Sequence, residues 1–497
     1  MGGINFRKFF VMKSDHPSVF NFDNSYTKLA ERFFSRVTPD KANRPEMILF
    51  NHELAEELNI DDSDPELLTQ ILSGNKMAVG SDPIATAYAG HQFGYFTMLG
   101  DGRAILLGEH IDQTRKRFEV QVKGAGRTPY SRGGDGKATL KAMLKEYVYS
   151  EAMNGLGIPT SRSLAVLRTG ENVYRERVED GAILCRVMPS HLRVGTFEFA
   201  RFYGTKEELL QLCDYTIKNH FPEIPDDADN RALLLFEKVM QRQVDLVINW
   251  MRVGFIHGVM NTDNTSICGD SFDYGPCAFM GVYDPKTVFS SIDENGRYAF
   301  GNQPSILKWN LSRFAEALLP LIDDDLDKAV EIATEKVNEF DSIFDMKFDE
   351  MMLSKIGIDE PEKGDVELAE EFLKLIRIHR KDYTHSFNSL RLPDLYRDKP
   401  FVLGAEFLDW QKRWTERISR GEGKGHSFSI MERYNPLFIP RNYFVEEALD
   451  LAVEGELKKL KTLIYNLQMP YWYDPEMDDS LFEPIGFDQN YQTYCGT

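Results

Sequence analysis

The stretch from Gly254 to Met280, GFIHGVMNTDNTSICGDSFDYGPCAFM, constrains this chain more than any other. It places two acids and an amide, Asp263, Asn264 and Asp273, in a short space. All three are side chains that accept protons or hold hard cations. An apolar, helix-like run, LLLFEKVMQRQVDLVINWMRVGF, leads into it from Leu233. The order is therefore helix, polar loop, then Asp-aromatic-Gly.

That order matches the catalytic loop and metal-binding Asp of protein kinases, where an Asn and the Asp of Asp-Phe-Gly hold two Mg²⁺ ions. Asn264 would be that Asn, and Asp273-Tyr274-Gly275 that triplet. The kinase base does not follow. It belongs in His-Arg-Asp ahead of the Asn, whereas this chain reads His257-Gly258-Val259, and Val259 cannot accept a proton.

A kinase-like site also needs a strand Lys fixed by a helical Glu. Phe118 to Lys123, FEVQVK, alternates like a half-buried strand, with Phe118, Val120 and Val122 on one face and Glu119, Gln121 and Lys123 on the other. A Gly-rich segment with Arg127, Arg132 and Lys137 follows, then a helix-like run ending at Gly155, Gly157 and Pro159. Glu146 lies in that run, 23 residues after Lys123. Any Lys and Glu so spaced are ordinarily solvated, so the pairing rests on the later metal loop. Gly100-Asp101-Gly102-Arg103 could bring backbone N–H groups to a phosphate, but Asp-Gly alone is more often a hairpin turn. His91, beside Gly and Phe, reads as a packing residue. SLAVLR, NVYRERV and AILCRVM read as further antiparallel strands. Arg186 in the last of these, and Arg193 after it, are either ion-paired with core carboxylates or set to clamp phosphate.

Composition narrows the class. The 497 residues, 42% apolar and 27% charged, describe a globular chain long enough for one large core or several smaller ones. A formal charge of −20 argues against non-specific nucleic-acid binding. No apolar run reaches the ~18 residues of a membrane span. The basic patch Arg7, Lys8 and Lys13 precedes no apolar core with a cleavage site, so no secretion signal is expected. The five cysteines are scattered without a Cys-x-x-Cys pair, which fits a reducing compartment.

Several long motifs run in one order: FDNSYTKLAERFFSRV, YAGHQFGYFTMLGDGRAILLGE, QVKGAGRTPYSRGGDG, SEAMNGLGIPTSRSLAV, RVMPSHLRVGTFE, VGFIHGVMNTDN, DYGP, GRYAFGNQP with WNLSR, and NPLFIPRN. In these the chain resembles the selenoprotein O family, called YdiU in bacteria, over most of residues 20–445. Thr97-Met98, Lys137 and Thr265 depart mildly from the family's usual residues and remove no charged or metal-binding group. The resemblance implies an α+β, protein-kinase-like fold of two lobes. Its N-lobe (81–195) is β-rich and its C-lobe (196–400) mainly helical. An N-terminal extension (1–80) and a C-terminal helical extension with a tail (401–497) complete the expected division.

The resemblance also implies a protein adenylyltransferase that moves AMP from ATP to Ser, Thr or Tyr hydroxyls, releasing pyrophosphate, with ATP flipped relative to kinases. Carried onto this sequence, nucleotide contacts fall at Gly100, Gly102, Arg103, Lys123, Asp135, Gly136, Arg186 and Arg193. Glu146 would orient Lys123, Asn264 and Asp273 would hold Mg²⁺ or Mn²⁺, and Asp263 would accept the proton. Expected partners are protein substrates, with self-AMPylation among the outcomes and neither nucleic acid nor membrane. The expected state is a monomer, in the cytoplasm of a bacterium or the mitochondrion of a eukaryote. Cys495 corresponds to a family selenocysteine or cysteine and implies redox control. Two alternatives stay open: a phosphotransferase of ordinary kinase polarity, and a silent nucleotide-binding pseudokinase.

Overall fold

The alternating segments form one antiparallel sheet, and what covers its two faces sets the position of every charged group discussed below. A computed structural model describes residues 19–396, 404–472 and 486–494. The N-terminal basic patch and Cys495 lie outside the described residues. The strands are β1 (Phe34–Arg36), β2 (Glu46–Phe50), β3 (Ile84–Thr86), β4 (Ala89–Gln92), β5 (Tyr95–Met98), β6 (Ala104–Ile111), β7 (Arg117–Lys123), β8 (Ala138–Thr139), β9 (Arg162–Tyr174) and β10 (Val178–Met188). The main sheet runs β1-β3-β6-β7-β10-β9-β2, with β8 paired to β10, while β4 and β5 form a separate hairpin. SLAVLR and the first three residues of NVYRERV merge into the single long β9, which carries Gly170 at φ +73°, while residues 175–177 turn the chain and Val178 begins β10.

β1 and β2, from the segment set apart in the sequence as an extension, form the two edges of this sheet. Helices α1 (His52–Leu58) and α2 (Pro65–Leu72) cover one face, where Leu54, Leu58, Leu68 and Leu72 pack on Val120, Val122, Ile183 and Cys185. On the other face lies α3 (Leu140–Gly155), capped at its start by Thr139, whose Oγ1 accepts the Ala142 N–H.

The half-buried reading of β7 fails on this second face. Glu119, Gln121 and Lys123 are as buried as Val120 and Val122. Alternation in the sequence separates polar from apolar side chains, and α3 and the loops beyond then cover the polar face as well. The hairpin-turn reading of Gly100–Arg103 also fails. The strands flanking it, β5 and β6, lie in different sheets.

The second half of the chain is helical: α4 (Val194–Tyr203), α5 (Lys206–His220), α6 (Arg231–Val253), α7 (Gln303–Ile322) and α8 (Leu326–Lys355). Between α6 and α7 the short strands β11 (Phe255–Ile256) and β12 (Ala278–Phe279) pair with each other. The start of α6 is capped by Asn230, whose Oδ1 accepts the Leu233 N–H at 3.0 Å, and Gly254 at φ +78° ends it. The apolar run from Leu233 thus becomes a buried helix that delivers the polar loop.

The remaining helices are α9 (Asp365–Ile378), α10 (Tyr383–Arg391), α11 (Gly404–Arg417), α12 (Lys424–Tyr434), α13 (Asn442–Val453) and α14 (Lys458–Gln468). α13 and α14 return to pack on α3. Lys141 on α3 pairs with Asp450 on α13 at 2.5 Å, and a Cβ on Gly155 would lie 2.1 Å from the Leu467 carbonyl oxygen. α3 is therefore held between the sheet and the C-terminal helices. No described helix is long and apolar enough to cross a membrane.

Leu144 of α3 is fully buried in this large core. Leu144→Ala is expected to cost about 2–5 kcal/mol through lost burial and a residual cavity. Urea unfolding monitored by circular dichroism measures this.

Candidate active site

Each charged residue of the site is delivered by a different element. β7 ends at Lys123, α3 carries Glu146, β10 carries Arg186, and Asp273 lies in the loop between β11 and β12. Lys123 Nζ is 2.7 Å from Glu146 Oε2 and 2.6 Å from Asp273 Oδ1. Arg186 donates from Nη1 to Glu146 Oε1 at 3.0 Å and to Asp273 Oδ1 at 2.7 Å. Its Nε donates to Gln121 Oε1 at 2.8 Å. The sheet register produces that last bond, since Gln121 and Arg186 are direct cross-strand partners. Of the two open readings of Arg186, the ion pairing with core carboxylates is what the structure contains, to Glu146 and Asp273.

Arg193, at the start of α4, completes the group. Its Nη1 donates to the Asp263 carbonyl at 2.8 Å and lies 3.7 Å from Asp273 Oδ2. The guanidinium lies against the Tyr88 and Phe272 rings, 4.2 and 4.8 Å from their centroids. Its Nη2 is buried without a hydrogen-bond partner, and an unused donor of that kind is costly unless a ligand takes it. Burial opposes ionisation of Asp273, but Arg186, then Lys123 and Arg193, outweigh it and hold the carboxyl well below the usual range. Asp273 also has φ +61°, a left-handed conformation that a non-glycine residue adopts at a cost.

The loop before it holds Asp263 and Asn264. Asn264 Nδ2 donates to the Val259 carbonyl at 3.0 Å. The residue at the lost base position therefore still orients the Asn through its backbone. Asp263 is buried, and its Oδ1 has no partner. Its Oδ2 accepts from Gln92 Nε2 at 3.3 Å. Burial raises its carboxyl to about 6, against the pull of Arg193.

Amide and carboxylate oxygens of the kind Asn264 and Asp273 carry suit a hard divalent cation. The Asn264 amide spends its donor end on Val259, and Asp263 Oδ1 accepts no hydrogen bond. No group of three or more His, Cys, Asp or Glu among the described residues forms a metal cage. Mg²⁺ in general binds through one or two carboxylates with the remaining positions filled by phosphate and water.

The other expected residues make the following contacts. Asp135 pairs with Arg175 at 2.8 Å and accepts the Lys137 amide at 2.9 Å. Gly136 packs on Gly126 so closely that a Cβ would lie 2.0 Å from its carbonyl oxygen. Gly100, at φ +137°, lies against Tyr130, where a Cβ would come within 2.4 Å of the ring. Gly102 meets the backbone of Tyr130 and Ser131. The Arg103 carbonyl accepts the Gly124 N–H at 2.7 Å. Their neighbour Asp101 reaches the cluster instead: Oδ2 accepts from Gln121 Nε2 at 3.4 Å, and Oδ1 lies 3.9 Å from Arg193. Sequence reading passes over Gln121 and Asp101 as site residues, although Gln121 shares the polar face of β7 with Lys123. Gln92 leaves no comparable trace, because its contact with Asp263 spans 171 residues.

A strand Lys paired with a helical Glu, followed by a loop Asn and Asp, is the arrangement that protein kinases use at their nucleotide site. The comparisons supply the family. The family described as "Protein adenylyltransferase SelO" matches residues 18–468, and the chain belongs to it. The protein nucleotidyltransferase YdiU of Anoxybacillus flavithermus is 51% identical, covering 96% of this chain and 99% of that one. The protein of the same name from Geobacillus kaustophilus is 49% identical with the same coverage. This chain is accordingly an enzyme of the nucleotidyltransferase class. Among solved structures, a Toxoplasma gondii rhoptry antigen kinase domain covers 58% of this chain and 86% of its own at 10% identity, with a TM-score of 0.23. ROP2 from Toxoplasma gondii covers 66% and 97% at 10% identity, with a TM-score of 0.25. Neither score carries an argument.

Beside the cluster, Glu119 accepts from the His191 backbone N–H at 2.6 Å and lies 2.6 Å from His191 Nδ1. Burial raises the Glu119 carboxyl to about 7, and burial with the nearby Arg186 lowers His191 well below its ordinary value, so both favour neutral forms. The folded protein therefore binds the Glu119 proton more tightly than the unfolded chain does. Its contribution to stability is complete below the ordinary value of 4.5 and is lost as pH rises through about 7. Urea unfolding across this window is expected to show Glu119→Gln flattening the pH dependence by on the order of 2–3 kcal/mol.

Proposed function

We propose that this enzyme transfers AMP from ATP to Ser, Thr or Tyr hydroxyls of acceptor proteins, with the nucleotide turned so that its α-phosphate meets the acceptor. The observation that carries this reading is the convergence of Lys123, Arg186 and Arg193 on Asp273. A kinase-type centre needs its strand Lys there. Two more buried guanidinium groups suit a departing pyrophosphate, and Arg193 Nη2, which makes no hydrogen bond, supports a phosphate in that place.

In the proposed reaction the acceptor oxygen forms a bond to the α-phosphorus as the bond from that phosphorus to the α–β bridging oxygen breaks. Pyrophosphate leaves, and the hydroxyl proton passes to Asp263. A carboxyl raised to about 6 is still mostly ionised at neutral pH and is a stronger base than an ordinary Asp. Asn264 and Asp273 would hold Mg²⁺ or Mn²⁺, which when bound neutralises phosphate charge. Glu146 fixes Lys123, while Gln121 and Glu146 fix Arg186. Roles for Gly100, Gly102, Arg103, Asp135 and Gly136 in cradling the nucleotide rest on the family's motifs alone. The bacterial relatives and the ATP requirement support a cytoplasmic setting, and we read the chain as a monomer able to modify itself.

ATP labelled separately at the α- and γ-phosphates tests the reading. Label from the α-phosphate is expected on protein. Label from the γ-phosphate would instead mean kinase polarity, and bound nucleotide with no transfer a silent site. Asp273→Ala is expected to lower α-label transfer by about 10²–10³-fold or more. Asp263→Asn should lower it by about 10²-fold or more while ATP affinity, measured by calorimetry, stays within about twofold.

A further inference from the structure

A cavity of about 370 Å³ lies where the sheet meets the helical half of the chain. None of Lys123, Glu146, Arg186, Arg193 or Asp273 lines it. Its volume is in the range of small-molecule sites. Leu54 and Leu58 of α1, Phe118 of β7, and Val187 and Met188 of β10 give it apolar walls. Asp270, in the loop between β11 and β12, lines it from the helical half.

Asp270 is half-buried, and among the described residues no hydrogen bond or ion pair reaches its carboxylate. Burial raises the carboxyl to about 6, against the pull of Arg242, which bonds the His220 carbonyl and Glu223 instead. Arg162 is the cation of the lining, and its charge is already taken. Its Nη2 lies 2.9 Å from Glu151 Oε2, and its Nη1 lies 3.3 Å from Glu57 Oε2. Glu57 lines the cavity as well, so the lining is short of positive charge.

The loop that carries Asp270 is tied to the turn between α3 and β9. Ser271 N–H donates to the Pro159 carbonyl at 2.9 Å, and Ser161 N–H donates to the Ser271 carbonyl at 2.8 Å. Thr160 Oγ1 bonds the Tyr274 hydroxyl, and both Pro159 and Thr160 line the cavity. We propose that this cavity binds a small organic cation with an apolar body, its ammonium group on Asp270, and that occupancy is passed to the neighbouring Asp273. A desolvated carboxylate without a partner is costly, and an ammonium group supplies both charge and donors. The apolar walls take the remainder of the molecule. A ligand held between Asp270 and the α3–β9 turn steadies Ser271, and with it Asp273 two residues on. The cation and ATP then favour each other's binding by equal factors. The coupling rests on ATP as the nucleotide of the proposed reaction; the binding does not.

The probe is phenylbutylamine, with phenylbutanol, of the same apolar body and no charge, as its control. Affinities for the full chain come from NMR titrations observed on the probe. The variants are Asp270→Asn, which removes the charge, and Asn154→Trp, which fills the exposed lip of the cavity, with thermal melts to confirm their folds. The amine is expected to bind about tenfold or more tightly than the alcohol, with Asp270→Asn removing that preference and Asn154→Trp weakening both probes. Saturating amine should tighten ATP binding, measured by calorimetry, by about fivefold or more, and ATP should tighten the amine by the same factor. Equal binding of amine and alcohol, or a preference that survives Asp270→Asn, overturns the site. Mutual weakening would place the amine in the nucleotide site and overturns it as well. Selective amine binding with ATP affinity unchanged overturns the coupling. A chain that binds the amine selectively and ATP not at all would keep the site and remove both the coupling and the proposed function.

Discussion

Asp273 is the point on which the structure converges. Three cations from a strand end, a strand interior and a helix start all approach one carboxylate that lies in a left-handed backbone conformation. Burying such charges is expensive, and their mutual attraction repays it only when the geometry is good and the remaining donors are satisfied. Here most are. Glu146 takes one bond from Lys123 and one from Arg186, and Gln121 takes the Arg186 Nε. Arg193 Nη2 and Asp263 Oδ1 are left over, a donor and an acceptor without hydrogen-bond partners.

Much of the fold serves to hold that geometry. α3 must present Glu146 to both cations, and it is pressed between the sheet and the helices α13 and α14. Gly155 permits the close approach at its end. β7 and β10 must keep their register for Gln121 to reach Arg186. A slip by one residue would turn Lys123 and Gln121 to the face covered by α1 and α2, among leucines that offer a charge no partner. The N-terminal strands and helices therefore bear on the site although they carry none of its charges.

Legibility in the sequence followed the distance between partners along the chain. Asp273, Asn264 and Asp263 lie within one loop, and their order announced the chemistry. Lys123 and Glu146 needed only a strand pattern followed by a helix pattern. Arg186 could be found as a cation in an apolar strand but not assigned, because its partners are 40 and 87 residues away. Gln92, Asp101 and the Glu119–His191 pair carried no sequence signal strong enough to single them out. Asp135 was marked by its motif, whereas its partner Arg175, in the turn between β9 and β10, was not.

The sequence by itself determined the class of the molecule, a strand-rich part followed by a helical part with a metal-type loop between two helices. It did so because periodicity, capping residues and loop motifs are local, and local patterns survive without knowledge of neighbours. It also determined the family, through long motifs in one order. Tertiary structure alone decided that the polar face of β7 is buried, that Arg186 and Arg193 share one carboxylate, and that a hairpin from the first hundred residues roofs Asp263. Those outcomes depend on which surfaces meet when distant segments pack, and burial is a property of the neighbours a residue acquires rather than of the residue itself.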